Sequence, residues 1–240
     1  MSVNMNSCKS VKDFYDQSYN NLGFNAQRKY PNEELCRFMG RNFFHKSQEA
    51  RKKIKILETG CGSGANLWMI AKEEFDTYGI DLSSEAIALA KKMLDSYGVS
   101  AEISTQNMCA LNFQANYFDA IVDVFSSNCL SRNEHLLYLQ EVKRTIKPGG
   151  LFFSYFPAKQ SDTYLFPGDA SFIDSDTLES VTRVDSPFCG QDYPFRFIHS
   201  REYEEGLQNL GFRIQHSEII NKTYNKRKEN FSFVVIEAAK

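Results

Sequence analysis

From about residue 53 onward, short apolar runs and amphipathic stretches alternate along the chain. Seven runs have strand length and a strand's content of β-branched and aromatic residues: residues 53–58 (KIKILE), 77–81 (TYGID), 101–105, 119–125 (DAIVDVF), 150–155 (GLFFSY), 212–220 and 231–237 (FSFVVIE). Residues 84–97 place Ile87, Ala90, Met93, Leu94 and Tyr97 at three- and four-residue spacing, and residues 135–146 do the same with Leu136, Leu139, Val142 and Ile146. Each therefore predicts a helix that buries one stripe against a sheet. Gly98 follows the first as a left-handed cap, and Lys147-Pro148-Gly149-Gly150 stops the second. The alternation predicts an α/β fold, a mostly parallel sheet with helices on both faces. The last two runs are joined only by the polar residues 221–230, which predicts an antiparallel hairpin at one edge of the sheet.

Two segments stand outside this pattern. Residues 1–50 hold an aromatic and polar stretch (FYDQSYNNLGF) and then a predicted helix over 33–44, with Leu35, Phe38 and Met39 apolar. Residues 157–199 form a long connection rich in Asp, Phe and Tyr, and connections of that length are usually lids or binding loops. The reading is one domain over 1–240: an N-terminal cap (1–50), a core (51–157), a substrate loop or lid (158–200), and a helix and hairpin (201–240). Tyr15, Tyr19 and Phe24 in the cap, with Tyr164, Phe166, Phe172, Tyr193 and Phe195 in the loop, are expected to cover a bound ligand and exclude water.

Composition narrows the classes. At 42% apolar and 14% aromatic the 240 residues carry more core material than a disordered chain. The longest apolar runs are strand-sized, far below the roughly 20 residues that span a bilayer, and the start MSVNMNSCKS lacks the apolar stretch of an export signal; a cytoplasmic protein is expected. A net charge of −2 disfavours a partner gripped through many phosphates. The six cysteines show no CxxC pair and no histidine at metal-ligand spacing, so reduced thiols and no metal site are expected.

The most informative residues are Ile56-Leu57-Glu58-Thr59-Gly60-Cys61-Gly62-Ser63-Gly64-Ala65, a strand that ends in an acid and turns through three glycines into a helix. Such a turn lets backbone pass close to a ligand. A phosphate-binding P-loop needs GK[ST], which the chain lacks, and a dinucleotide fold needs GxGxxG, whereas the spacing here is GxGxG. Glu58 would also face a pyrophosphate, and two charges about 6 Å apart at a dielectric near 20 repel by roughly 3 kcal/mol. The acid favours a ligand that carries positive charge. Asp81 ends the next strand, where a carboxylate can accept from both hydroxyls of a ribose. After the third strand, Asn107 offers an amide and Met108 an apolar surface to a base.

At this point the sequence resembles the class I S-adenosylmethionine-dependent methyltransferases, in their small-molecule branch. ETGCGSG matches the family's E/DxGxGxG, YGIDLS its acidic ribose position, FDAIVDV its fourth strand and IKPGGLFF its turn into the fifth. The resemblance covers residues 53–155 and the C-terminal hairpin in outline. It implies a Rossmann-like seven-stranded sheet with a reversed last strand, and S-adenosylmethionine as the cofactor. By position, Glu58 would orient the methionine ammonium, Gly60, Cys61, Gly62 and Gly64 would approach the cofactor, and Asp81 would hold the ribose. Leu82 and Met108 would enclose the adenine, Asn107 would bond it where the family usually has Asp, and Val124 and Phe125 would lie by the methionine portion. Arg28 and Tyr30 are candidates for its carboxylate. Cys129 replaces a histidine found in some relatives.

The implied reaction is methyl transfer to oxygen or nitrogen of a small metabolite. The acids between residues 161 and 192 hint at a sugar or another hydroxylated or amino compound. His199, where the long loop enters a predicted helix over 201–210, is the candidate general base, and His45, His135 and His216 read as surface or edge residues. Tyr15, Tyr19, Tyr155 and Arg196 are the substrate-side candidates. A second reading, an RNA methyltransferase, draws on the basic runs Arg51-Lys52-Lys53 and 222–228; against it, residues 123–128 (DVFSSN) lack the [DN]PP[YF] that grips a flipped adenine, and there is no Pro-Cys for cytosine chemistry. A third is a non-catalytic relative, since fold alone does not fix activity. The residues do not specify an oligomeric state.

Overall fold

A computed structural model describes residues 5–240, and for residues 5–9 the backbone only. Five parallel strands form most of one sheet: β1 (Lys55–Thr59), β2 (Asp76–Asp81), β3 (Glu102–Thr105), β4 (Phe118–Val124) and β5 (Ile146–Pro157). A three-stranded antiparallel sheet, β6 (Phe172–Asp174), β7 (Thr177–Leu178) and β8 (Phe195–Arg196), lies in the connection after β5. β9 (Arg213–Tyr224) and β10 (Glu229–Ala239) complete the large sheet, whose order is β3-β2-β1-β4-β5-β10-β9. β10 runs antiparallel to both β5 and β9, so the last strand in sequence is the reversed one, as the resemblance implies.

Strand parity divides the core. Ile56, Val122, Phe153 and Val235 point to one face and meet Leu35, Phe38 and Met39 of α2 (Glu33–Asn42). Leu57, Ile121, Phe152 and Ile236 point to the other and meet Tyr138, Leu139 and Val142 of α6 (Arg132–Thr145) and Tyr203 and Leu207 of α8 (Ser200–Asn209). Caps set the helix starts. Asn32 accepts from two amides of α2, Ser83 opens α5 (Ser84–Tyr97), and Ser131 with Glu134 forms a capping box on α6. α5 ends at Gly98 in the left-handed conformation, as the sequence predicts.

Three differences from the sequence reading matter. The aromatic stretch of the cap is helical: α1 (Met5–Leu22) places Val11, Tyr15 and Tyr19 on one face at four-residue spacing, with Val11 and Tyr19 buried. β5 starts at Ile146 rather than at Gly150; the pairing jumps from Phe118↔Ile146 to Ala120↔Leu151, so Pro148 and Gly149 bulge out, and Gly149 N–H is met by the Lys240 carbonyl. The long loop contains the small sheet and a short helix, α7 (Asp162–Leu165). The remaining helices are α3 (Gln48–Arg51) and α4 (Leu67–Lys72), the latter opened by the glycine-rich turn. Because β1 is followed outward by β2 and β3, and β4 lies on its other side, the sheet reverses its winding between β1 and β4. That switch point, at the carboxyl ends of the strands, is where open α/β sheets bind ligands.

Candidate active site

At the switch point lies a cavity of about 460 Å³, within the range of small-ligand sites. Its floor begins with Glu58, which β1 carries inward to 2% exposure. One carboxylate oxygen, Oε1, accepts from Asn66 Nδ2; the other, Oε2, is buried and has no partner in the protein. Burial pushes the Glu58 carboxyl up to about 8, against the Asn66 hydrogen bond and the charge of Arg28, which also lines the cavity. A donor such as an ammonium group would satisfy this oxygen.

The glycine-rich turn follows. Gly60 lines the cavity at φ +67°, and a Cβ there would run into the side chain of Ser126. Cys61 lines the cavity as well. Gly62 and Gly64 do not: a Cβ on Gly62 would strike Gln27 and Tyr19, and one on Gly64 would sit 3.1 Å from Ala90 Cα. All three glycines therefore make room for protein, and Gly60 in addition lines the ligand space. Gly62 N–H donates to Asp81 Oδ2 (2.9 Å) and Ser83 N–H to Asp81 Oδ1 (2.9 Å). Both bonds resist the upward push that burial gives the Asp81 carboxyl, and each oxygen keeps capacity for a hydroxyl donor. Leu82, Asn107, Met108, Val124 and Phe125 line the cavity beside it. Asn107 Oδ1 accepts from Cys109 N–H (2.9 Å) and so closes its own turn as well as facing the ligand space.

The other side of the cavity is aromatic. Phe14, Tyr15 and Tyr19 come from α1, Phe125 and Cys129 from the loop after β4, and Pro187, Phe188 and Gln191 from the connection after β5. Tyr15 and Tyr193 share a hydroxyl–hydroxyl hydrogen bond of 2.8 Å that ties α1 to that connection, and Phe125 stacks on Phe188 at 4.8 Å. α1 is also fixed at Ser83, whose hydroxyl donates to Asp16. Phe125 holds φ +60°, a conformation rare for a bulky side chain. Asp123, fully buried beneath it, accepts from the amides of Ser126 (3.2 Å) and Ser127 (3.1 Å) and from both serine hydroxyls. Ser126 Oγ also lies 2.7 Å from the Thr59 carbonyl oxygen, so this loop leans on the strand that leads into the glycine turn.

Several sequence candidates lie elsewhere. His199 is the exposed N-cap residue of α8 and is not among the cavity residues; Ile198 N–H to the Pro157 carbonyl (2.9 Å) fixes the chain alongside the end of β5 just before it. Arg196 is buried against Asp176, Nη2 to Oδ2 at 3.3 Å, and does not reach the cavity. Tyr155 is buried and stacks on Phe233 at 4.4 Å, and Tyr30 is 69% exposed; neither lines the cavity. His135, expected at the surface, is buried among Tyr138, Phe156 and Tyr203, and burial holds it well below the usual histidine range. No acid of the connection after β5 is a lining residue, so the acids behind the hint of a sugar or amine site do not face the cavity; its expected cover residues Tyr164, Phe166, Phe172, Tyr193 and Phe195 also lie outside the lining, as does Phe24 of the cap. Asn66, Phe14, Phe188 and Gln191 line the cavity and were not singled out in the sequence. Only α1 carried a signal, the four-residue spacing from Val11 to Tyr19.

The buried, unpartnered Glu58 oxygen, the amide-anchored Asp81 and the apolar Leu82 and Met108 suit a cationic nucleoside with an ammonium, a ribose and a base. Comparisons with known proteins agree. A family described as a methyltransferase domain matches residues 56–150. A protein of Bacillus subtilis (strain 168) named as a methyltransferase, YqeM, is 26% identical over 189 residues, which cover 68% of this chain and 75% of that one. A ubiquinone biosynthesis O-methyltransferase of Sinorhizobium fredii is 27% identical over 142 residues, 53% of this chain and 56% of its own. Among solved structures, a SAM-dependent methyltransferase of Methanosarcina mazei superposes with a TM-score of 0.63 at 23% identity, over 77% of this chain and 92% of that chain. The strand order, the acid-tipped glycine turn and these likenesses together support a class I S-adenosylmethionine-dependent methyltransferase.

Proposed function

We propose that the chain methylates oxygen or nitrogen of a small metabolite. The observation that carries this reading is the enclosure of the ligand space. α1 and the connection after β5 meet over it through the Tyr15–Tyr193 pair, leaving a cavity suited to a cofactor and a small acceptor. S-adenosylmethionine supplies a methyl group already activated by the sulfonium. The protein's task is then to align acceptor and methyl and to exclude water, and positioning of this kind lowers a bimolecular barrier by roughly 7–11 kcal/mol. Glu58 and Arg28 would hold the ammonium and carboxylate ends, Asp81 the ribose, and Met108 and Leu82 the adenine. Phe125, shaped by Asp123, would form the wall where acceptor and methyl meet.

Nucleic acid fits this space poorly. The cationic side chains among the described lining residues are Lys12 and Arg28; Lys12 is paired with Asp16 and Arg28 lies near Glu58. The lysines of residues 222–228 are not lining residues. Incubating the protein with methyl-labelled S-adenosylmethionine and either a metabolite extract or total RNA separates the readings. Label in a low-molecular-weight product is expected; label in RNA overturns the proposal.

A further inference from the structure

Resting on the methyl-transfer reading above, we infer that the aromatic half of the cavity accepts a planar, uncharged nitrogen heteroaromatic that donates a ring N–H to Gln191 and turns a bare ring nitrogen towards the methyl group. Gln191 Oε1 is buried and has no hydrogen-bond partner in the protein, although its residue lines the cavity. Its backbone is fixed: the carbonyl accepts from Val181 N–H (2.9 Å) and the N–H donates to the Phe188 carbonyl (3.3 Å). A buried amide oxygen without a donor is costly unless a ligand brings one.

The surroundings select the rest of the ligand. Phe188 stacks on Phe125 with an interplanar angle of 27°, and Phe14 and Tyr15 line the same cavity from α1, so its wall is largely aromatic. The cations among the described lining residues are already paired, Lys12 with Asp16 and Arg28 near Glu58, so an anionic acceptor would be buried without a free counter-charge. Among the described lining residues of the aromatic half, a proton acceptor is missing as well. Burial keeps Tyr15 and Tyr193 as phenols, and the Cys129 thiol donates to the Ser126 carbonyl at 3.0 Å. An alcohol or an ammonium must lose a proton to react, whereas a ring nitrogen with an in-plane lone pair need not. That lone pair forms the new N–CH₃ bond as the S–CH₃ electron pair returns to sulfur. The ring takes on the positive charge and then sheds its N–H proton to water. With that proton it loses its bond to Gln191, which favours release.

Calorimetry on the protein saturated with S-adenosylhomocysteine tests this with benzimidazole, N-methylbenzimidazole, glucose and transfer RNA as probes. Benzimidazole should bind about fivefold or more tighter than N-methylbenzimidazole, the effect of one buried hydrogen bond, and Gln191→Leu should erase that difference. Equal binding of the two azoles, no binding of benzimidazole, or tighter binding of glucose or transfer RNA overturns the inference. The first titration, of S-adenosylhomocysteine alone, reports separately on the methyltransferase reading. Its failure would sink both, whereas cofactor binding without azole discrimination sinks only the acceptor class. The two azoles are compared on the unaltered protein, so the test stands even if the variant misfolds.

Discussion

Glu58, Asp81 and Asn107 stand at or just past the ends of three consecutive strands, whereas Tyr15, Phe188 and Gln191 reach the same cavity from segments inserted before and after the alternating core. The first group is charged or amidic and anchored to neighbouring backbone or to Asn66. The second is mostly aromatic and anchored by ring contacts and a tyrosine pair. A cofactor common to many reactions can be read by sheet geometry, because strand ends hold their positions whatever the loops do. An acceptor peculiar to one reaction is read by parts that can vary without disturbing the sheet. If this division is real, substitutions in the two halves should separate cofactor binding from turnover.

The largest effect should come from Glu58→Gln. Losing the buried carboxylate that faces the ammonium should weaken S-adenosylmethionine binding by about 3 kcal/mol, a hundredfold or more by calorimetry. Stability should move the other way. The carboxyl of the ligand-free protein titrates at about 8, above its ordinary 4.5. Its protonated form is therefore favoured by folding, and the stability it contributes at low pH is lost as the pH rises from 4.5 through about 8. Removing the charge should make the ligand-free variant more stable at pH 8, on the order of 4 kcal/mol, while leaving it unchanged at pH 4. A variant that melts lower than the parent at pH 8 would mean that Glu58 already has a partner within the protein.

Asp81→Ala comes next, weakening the cofactor by about 2 kcal/mol, since ribose hydroxyls lose an acceptor and the amides of Gly62 and Ser83 lose their anchor. Unchanged affinity would remove the ribose assignment. The same two carboxylates explain why this half was legible in the sequence. An acid before GxGxG and a second acid at the end of the next strand are local patterns, and the alternation of strands and helices fixes where they meet. The acceptor half carries no such pattern. Phe188 and Gln191 sit in a connection whose path depends on a small sheet of two- and three-residue strands, too short to leave a period in the sequence. His199 and Arg196 look chemical in a one-dimensional reading, but the backbone contacts between Ile198 and the end of β5 turn one outward, and Asp176 binds the other. Parity also decided Asp123: on β4 it lies under the loop rather than facing the cleft.

Asp123→Asn should act between the halves. The substitution removes one acceptor oxygen from beneath Ser126 and Ser127 and so loosens the support of Phe125 at its strained φ. Turnover should fall about tenfold with cofactor affinity changed by less than about threefold. Steady-state kinetics beside a cofactor titration checks this. An equal loss in both would mean that Ser126, through its contacts with Thr59 and Gly60, binds the two halves into one unit.

His199→Ala should change almost nothing, and for that reason it sharpens the comparison. The side chain is exposed at the start of α8, makes no capping hydrogen bond there, and stands apart from the lining of the cavity. Exposed substitutions away from caps and cores cost within about 0.5 kcal/mol. Turnover on the true acceptor should match the parent across the pH range in which a histidine titrates. A lost limb in that pH profile would show that α8 and the chain before it move towards the cavity during the reaction. The acceptor half would then include a mobile base that the closed arrangement does not display. An unaltered profile leaves proton removal to the acceptor itself, as a ring nitrogen with a free lone pair would allow.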